Sequence, residues 1–170
     1  MRMRPKQRQR GSAMVEFTLA GIAGVTILIS TIQLGLAMWN YHSLAEAVHE
    51  TNRYAASHGR TCMANHCTIT VGDIVTKFQN QAVGLPADSV NMTLSSETGV
   101  VVPCNPISSC SGSSTMWPPS DHFDNAPGRY ITMTATLNVR SAMVLVWAGV
   151  SGQRISAIGL PSKSSMPIVF

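Results

Sequence analysis

The chain has 170 residues, 12% of them charged and 45% hydrophobic, with a formal net charge of +4. A charged share about half that of a usual soluble domain points to a chain held in a membrane or packed against copies and partners. The basic excess is local: Arg2, Arg4, Lys6, Arg8 and Arg10 carry it, and from Ser12 onward seven Lys and Arg face eight Asp and Glu, which gives no ground for a nucleic-acid partner.

Met1–Arg10, MRMRPKQRQR, shows no apolar periodicity, and Pro5 disfavours a helix there. It reads as a disordered leader whose Lys and Arg keep that end in the cytoplasm. A basic tail on acidic lipid headgroups is a compatible reading.

Phe17–Trp39 is 23 residues without a charge. At ~1.5 Å per residue this run spans about 34 Å, enough for a hydrocarbon core of ~30 Å. Thr18, Thr26, Ser30 and Thr31 can bond back to helix carbonyls and so do not forbid insertion. Trp39 and Tyr41 fall where an outer aromatic belt would lie. The pairs Ala20/Gly24 and Thr31/Gly35, each four residues apart, allow close helix contact in lipid.

Past Trp39, the residues Tyr41, Leu44, Val48, Thr51 and Ala55 recur at helical steps, with Asn40, Glu46, Glu50 and Arg53 on other faces. Gly59 reads as the stop, with Arg53, His58 and Arg60 at the negative end of the dipole. No proline interrupts Ser12–His58, so one helix of 47 residues, about 70 Å long, is expected.

Thr61–Thr70 reads as a loop holding Cys62 and Cys67. A second helix is expected over Asp73–Val83, ended by Gly84 and Pro86. Alternation predicts a half-buried strand over Ser89–Ser95, a returning strand at Gly99–Val102 after a Glu97–Gly99 turn, and a strand over Arg129–Val139 with Ile131, Met133 and Ala135 on one face. Pro103–Gly128, rich in Pro and Ser and holding Cys104 and Cys110, reads as a long loop, functional or mobile, whose closure a disulfide would partly offset. Ala142–Val150 is apolar but too short to cross a bilayer, which leaves a buried turn or an exposed docking patch. Gln153–Leu160 reads as the last strand and Pro161–Phe170 as a tail. The fold class is α+β: a long N-terminal helix, transmembrane and then amphipathic, followed by a small antiparallel sheet with one further helix. The divisions are residues 1–11, a basic leader; 12–39, a transmembrane helix; 40–59, its amphipathic continuation; and 60–170, an extracytoplasmic domain with disulfide loops.

In an oxidising compartment the four cysteines form two disulfides. Three connectivities are open; Cys62–Cys67 with Cys104–Cys110 is the simplest, and a cross-link between the two regions is the other kind.

Glu16 admits two readings. It can mark the membrane edge and complement the helix dipole. Alternatively, a cut after Gly11 makes Ser12 the new N-terminus, with Glu16 one helical turn along. A free amine and a carboxylate then neutralise each other at the lipid boundary, within one chain or between neighbours.

The run Arg10-Gly11-Ser12-Ala13-Met14-Val15-Glu16-Phe17-Thr18-Leu19 resembles the start of TadE-like proteins, minor pilins or pseudopilins of the tight-adherence, Flp-type pilus. Asn40–Gly59, above all Arg53-Tyr54-Ala55-Ala56, is similar to that family's second helical half. The resemblance implies a pilin-like fold and processing at Gly11 and Ser12 by a prepilin peptidase. Assembly would run through Glu16 and Phe17. Implied partners are other pilin and pseudopilin subunits, the inner-membrane assembly platform and lipid. The implied setting is a bacterial inner membrane, with the N-terminus cytoplasmic, the C-terminal domain periplasmic, and a role in pilus assembly and adhesion.

Three other readings compete. Gly35-Leu36-Ala37 is a small-x-small site for a cleavable secretory signal, which would leave a secreted or membrane-tethered binding protein starting at Met38. Against it, the apolar run exceeds the usual ~7–15 residues and an acid sits at its entry. His58, Cys62, His66 and Cys67 offer metal ligands, but Gly59 interrupts their helical spacing and oxidation would consume the thiols. His42, His49, His122, Asp121 and Asp124 carry no accompanying catalytic motif. The expectation is therefore no catalytic residue, no metal and no cofactor. Asn91-Met92-Thr93 matches a glycosylation sequon but falls inside a predicted strand.

Overall fold

A computed structural model describes residues 10–59, 69–120, 123–139 and 158–169. Helix α1 runs over Arg10–Ala56, 47 residues. Its length matches the expectation, displaced two residues toward the N-terminus. The chain forms two compact units, Met1–Leu36 and Ala37–Phe170.

In the first unit the helix is largely apolar, and none of the described residues covers it: Phe17 is 81% exposed, and Leu19, Ile22, Ile27 and Leu34 are also exposed. Mean hydropathy reaches 1.9 over an 18-residue window, long and apolar enough to cross a membrane. The four hydroxyls behave as their spacing predicts. Thr18, Thr26, Ser30 and Thr31 each donate to the carbonyl four residues back, at 2.6–2.9 Å, so none presents an unsatisfied O–H to an apolar surrounding.

In the second unit α1 buries a stripe of Leu44, Ala47, Val48, Thr51, Asn52, Ala55 and Ala56. These positions keep the three- and four-residue steps of one helical face. Tyr41, expected on this stripe, is 43% exposed; the small Ala47 and Ala56 and the polar Asn52 complete it instead. Asn52 is paid for by partnership, its amide N–H donating to Ser164 Oγ at 3.2 Å. Thr51 Oγ1 is buried without a partner among the described residues. The helix ends three residues before Gly59, where the N–H of Val169 donates to the Ala56 carbonyl at 3.1 Å.

Helix α2 spans Val71–Gln81, with Thr70 as N-cap. Asp73 N–H donates to Thr70 Oγ1 at 3.2 Å, and Thr70 N–H donates to Asp73 Oδ2 at 2.9 Å, a reciprocal capping box. Two donors to the carboxylate, the Thr70 N–H first and then the Thr70 hydroxyl, which donates to Asp73 Oδ2 at 2.8 Å, hold the Asp73 carboxyl below its ordinary value. A depressed native value stabilises the fold above the unfolded carboxylate range, and the gain is lost as pH falls through the native value. Thr70→Ala is accordingly expected to lower stability by about 0.5–2 kcal/mol at neutral pH. The difference from wild type should shrink below about pH 3.8, the ordinary Asp value. Urea unfolding midpoints at neutral and acid pH check this, and a pH-independent difference would contradict it.

The α2 face of Val71, Ile74, Val75 and Phe78 is buried. Gly72 passes close to the neighbouring loop: its N–H donates to Ser113 O at 3.0 Å, and a Cβ there would lie 2.9 Å from that same oxygen. Only glycine fits this approach.

The main sheet is antiparallel throughout, in the order β3-β2-β5-β6. Its strands are β2 (Val90–Ser96), β3 (Val101–Cys104), β5 (Tyr130–Val139) and β6 (Ile158–Pro167). A two-residue ribbon pairs β1 (Ile69–Thr70) with β4 (Met116–Trp117). Val90, Met92 and Leu94 of β2 and Ile131, Met133, Ala135 and Leu137 of β5 line the core with α1 and α2. The fold class is thus α+β as expected, a long apolar N-terminal helix followed by antiparallel sheets and a second helix.

Three local readings are corrected. Strand β6 takes in Ile158–Leu160 of the Gln153–Leu160 reading and runs on to Pro167, so Pro161 and most of the supposed tail are strand, while residues 153–157 lie outside the described residues. Proline is tolerated because β6 is a sheet edge, where one side of the backbone needs no partner. The returning strand lies two residues later than read, with Pro103 on the other edge. The Pro103–Gly128 segment also carries structure of its own, a 3₁₀ turn at Ile107–Cys110 and strand β4, with Ile107 and Trp117 buried. Ala142–Val150 and most of Thr61–Thr70 lie outside the described residues.

Candidate functional site

The candidate site is the N-terminal half of α1. Gly11 and Ser12 belong to the described helix, and Glu16 follows one turn after Ser12. No acid stands in the first turn of α1 as described. Since the dipole effect fades within that turn, Glu16 complements it better in a helix that starts at Ser12. Glu16 and Phe17 are both exposed. A Cβ built at Gly24 or Gly35 meets nothing within 4 Å, so the close-approach positions of this helix are open to a neighbour.

The other predicted residues fall elsewhere. Cys104 and Cys110 are disulfide-bonded, their Cα atoms 5.5 Å apart; the bond ties edge strand β3 to the 3₁₀ turn. Cys62 and Cys67 lie outside the described residues, as do His66, Asp121 and His122. His58 Nδ1 lies 2.7 Å from the Tyr54 carbonyl and its ring packs on Tyr54. Among the described residues no group of three or more His, Cys, Asp and Glu could hold a metal. Asp124 is buried, with one oxygen accepting from Thr98 Oγ1 and the other without a partner among the described residues. Asn91 sits on β2, as read.

The family model described as TadE-like protein matches residues 11–53. This segment is TadE-like. The match starts at Gly11, holds Glu16 and Phe17, and runs through the buried stripe as far as Asn52. It bears out the resemblance read from the helix, and it stops short of the sheet. No curated protein and no solved structure matches the chain.

Two clefts escaped the sequence reading. One lies between α1 and α2, lined by Glu50, Arg53, Tyr54, Ser57 and Lys77, with Lys77 Nζ 5.7 Å from the Tyr54 ring centre. The other is lined by Trp39, His42, Ser43, Glu46 and Gln81. The α1 members of the second are spaced i, i+3, i+4 and i+7, a signal visible in the sequence. The contribution of Gln81 is not.

Proposed function

We propose that the chain is a minor pilin or pseudopilin of a tight-adherence pilus, a structural subunit rather than an enzyme. The observation that carries this reading is the TadE-like segment itself: an uncovered apolar helix with Glu16 near its start, continuous with the spine of a folded α+β unit. The first part of α1 crosses the inner membrane and associates sideways with other pilin helices. The Lys and Arg of residues 1–10 keep the leader cytoplasmic, where a prepilin peptidase cuts between Gly11 and Ser12. The second unit then faces the periplasm, with its cysteines in disulfides. Adhesion follows if that unit is displayed on the fibre. The test is recovery of the tagged chain with pilus subunits and the assembly platform from detergent-solubilised membranes; recovery of none of them sinks the reading.

One observation favours a second reading. The boundary between the two units falls at Leu36/Ala37, inside the Gly35-Leu36-Ala37 site. A cut there would leave the buried stripe, which starts at Leu44, untouched. The product would be a secreted binding protein, and its N-terminus would be Met38.

A further inference from the structure

The end of the charge-free run carries a cleft that none of these roles uses. It measures about 300 Å³ and is lined by Trp39, His42, Ser43 and Glu46 of α1 and by Gln81, the last residue of α2. Ser43 Oγ–H donates to the Val83 carbonyl at 3.3 Å, fastening the chain just past α2 against α1. Val83 and Trp39 are 73% and 71% exposed, so a bulky apolar surface adjoins a polar pocket.

The position of the cleft along the helix says what reaches it. Trp39 closes a run with no charge from Phe17 onward, and tryptophan prefers the headgroup level of a bilayer. His42 and Glu46 follow by about 4 and 11 Å along the axis at 1.5 Å per residue. The headgroup zone is about 5–8 Å deep on each side of the hydrocarbon. On the membrane-spanning reading of α1, on which this inference rests, Trp39 and His42 lie within that zone, and Glu46 stands at its outer margin with a side chain that leans back toward the helix N-terminus, so the cleft opens onto the headgroups.

The lining selects among headgroups. Glu46 is in neither ion pair of the described residues, which join Glu50 to Arg53 and Glu97 to Arg129. Its carboxylate lines the cleft and suits an ammonium group. The imidazole N–H of His42 and the amide N–H of Gln81 can donate to a phosphodiester. Among the described residues no Lys or Arg lines the cleft, so an anionic headgroup would meet Glu46 without a compensating cation from them. A choline cannot donate an N–H to the carboxylate, whereas a primary ammonium can.

We propose that this cleft binds the headgroup of a phosphatidylethanolamine-type phospholipid, with the ammonium on Glu46, the outermost α1 residue of the lining, and the phosphate on His42 and Gln81. For the test, the full-length protein is reconstituted in bilayers holding equal fractions of phosphatidylethanolamine, phosphatidylcholine and phosphatidylglycerol. It is then released in mild detergent, and the lipid it carries is counted by native mass spectrometry. Ethanolamine lipid should be enriched about tenfold over each of the others, the worth of one charge-assisted hydrogen bond. Glu46→Gln should abolish the enrichment and Gln81→Ala weaken it, with resistance to alkaline extraction unchanged in both. Equal retention of the three lipids, or enrichment that survives Glu46→Gln, by an alkali-resistant chain overturns the headgroup site alone. A wild-type chain that alkali extracts contradicts the membrane-spanning reading, and the site falls with it.

Discussion

Glu16→Ala is expected to leave the chain in the membrane and to cut its recovery with pilus subunits by at least about tenfold. Alanine makes the helix more apolar, so insertion gains rather than loses. What would disappear, on the proposed pairing, is the partner of the Ser12 amine. An uncompensated charge costs about 2.5–3.5 kcal/mol at the centre of a membrane helix and less toward the headgroups. Even half of that is roughly tenfold in an association equilibrium. Glu16→Gln, which keeps size and hydrogen bonding but not charge, should fall between the two. Normal co-purification of Glu16→Ala would end the pairing account while leaving the anchor intact.

Phe78→Ala should lower the stability of the second unit by about 3–5 kcal/mol. Phe78 is 1% exposed and sits on the buried face of α2, in one cluster with Leu44 and Val48 of α1 and Met92, Ile131 and Met133 of the sheet. Its removal leaves a cavity that three elements border, and rigid sheet and helix backbones collapse into it only in part. Against a usual total of about 5–15 kcal/mol, the loss is a large share. Denaturant unfolding of the full chain in detergent, followed by near-ultraviolet dichroism, reads it. Val101→Ala, an exposed site on edge strand β3, should stay within about 0.5 kcal/mol of wild type. A Phe78→Ala cost below about 1 kcal/mol would mean that α2 does not seal the core.

The legible parts of this fold are those where apolar residues keep a period. Helix α1 could be read to within two residues because no proline breaks it, and its charge-free run and its later stripe both show in composition. Strand β5 could be read because Ile131, Met133, Ala135 and Leu137 alternate with Thr and Asn. Strand β6 could not. Its half-buried positions are Leu160, Ser162, Ser164 and Met166, so two of the four inward places are serine, and one of those answers the amide of Asn52. A polar pair that satisfies itself across 112 residues leaves no local hydrophobic signal, and Pro161 argues against a strand unless the strand is known to be an edge.

The site divides the same way. Gly11, Ser12, Glu16 and Phe17 stand out in the sequence because basic leader, glycine, acid and apolar run follow one another, and the TadE-like match covers that segment; their roles in processing and assembly belong to the proposed function. The cleft at Trp39 was only half legible. Its α1 residues share a face by spacing, but Gln81 arrives from the end of another helix. The hydroxyl of Ser43 that fastens this corner gives no sign of its partner, a backbone carbonyl 40 residues away.

The central claim is that the charge-free helix is a processed assembly joint rather than a plain anchor or a discarded signal. N-terminal sequencing of the mature protein isolated from membranes tests it most directly. The predicted result is Ser12, produced by a cut after Gly11 with Glu16 retained one turn inside the new helix. Met38 would show that the helix is removed as a signal, and Met1 that it is an unprocessed anchor; either contradicts the claim.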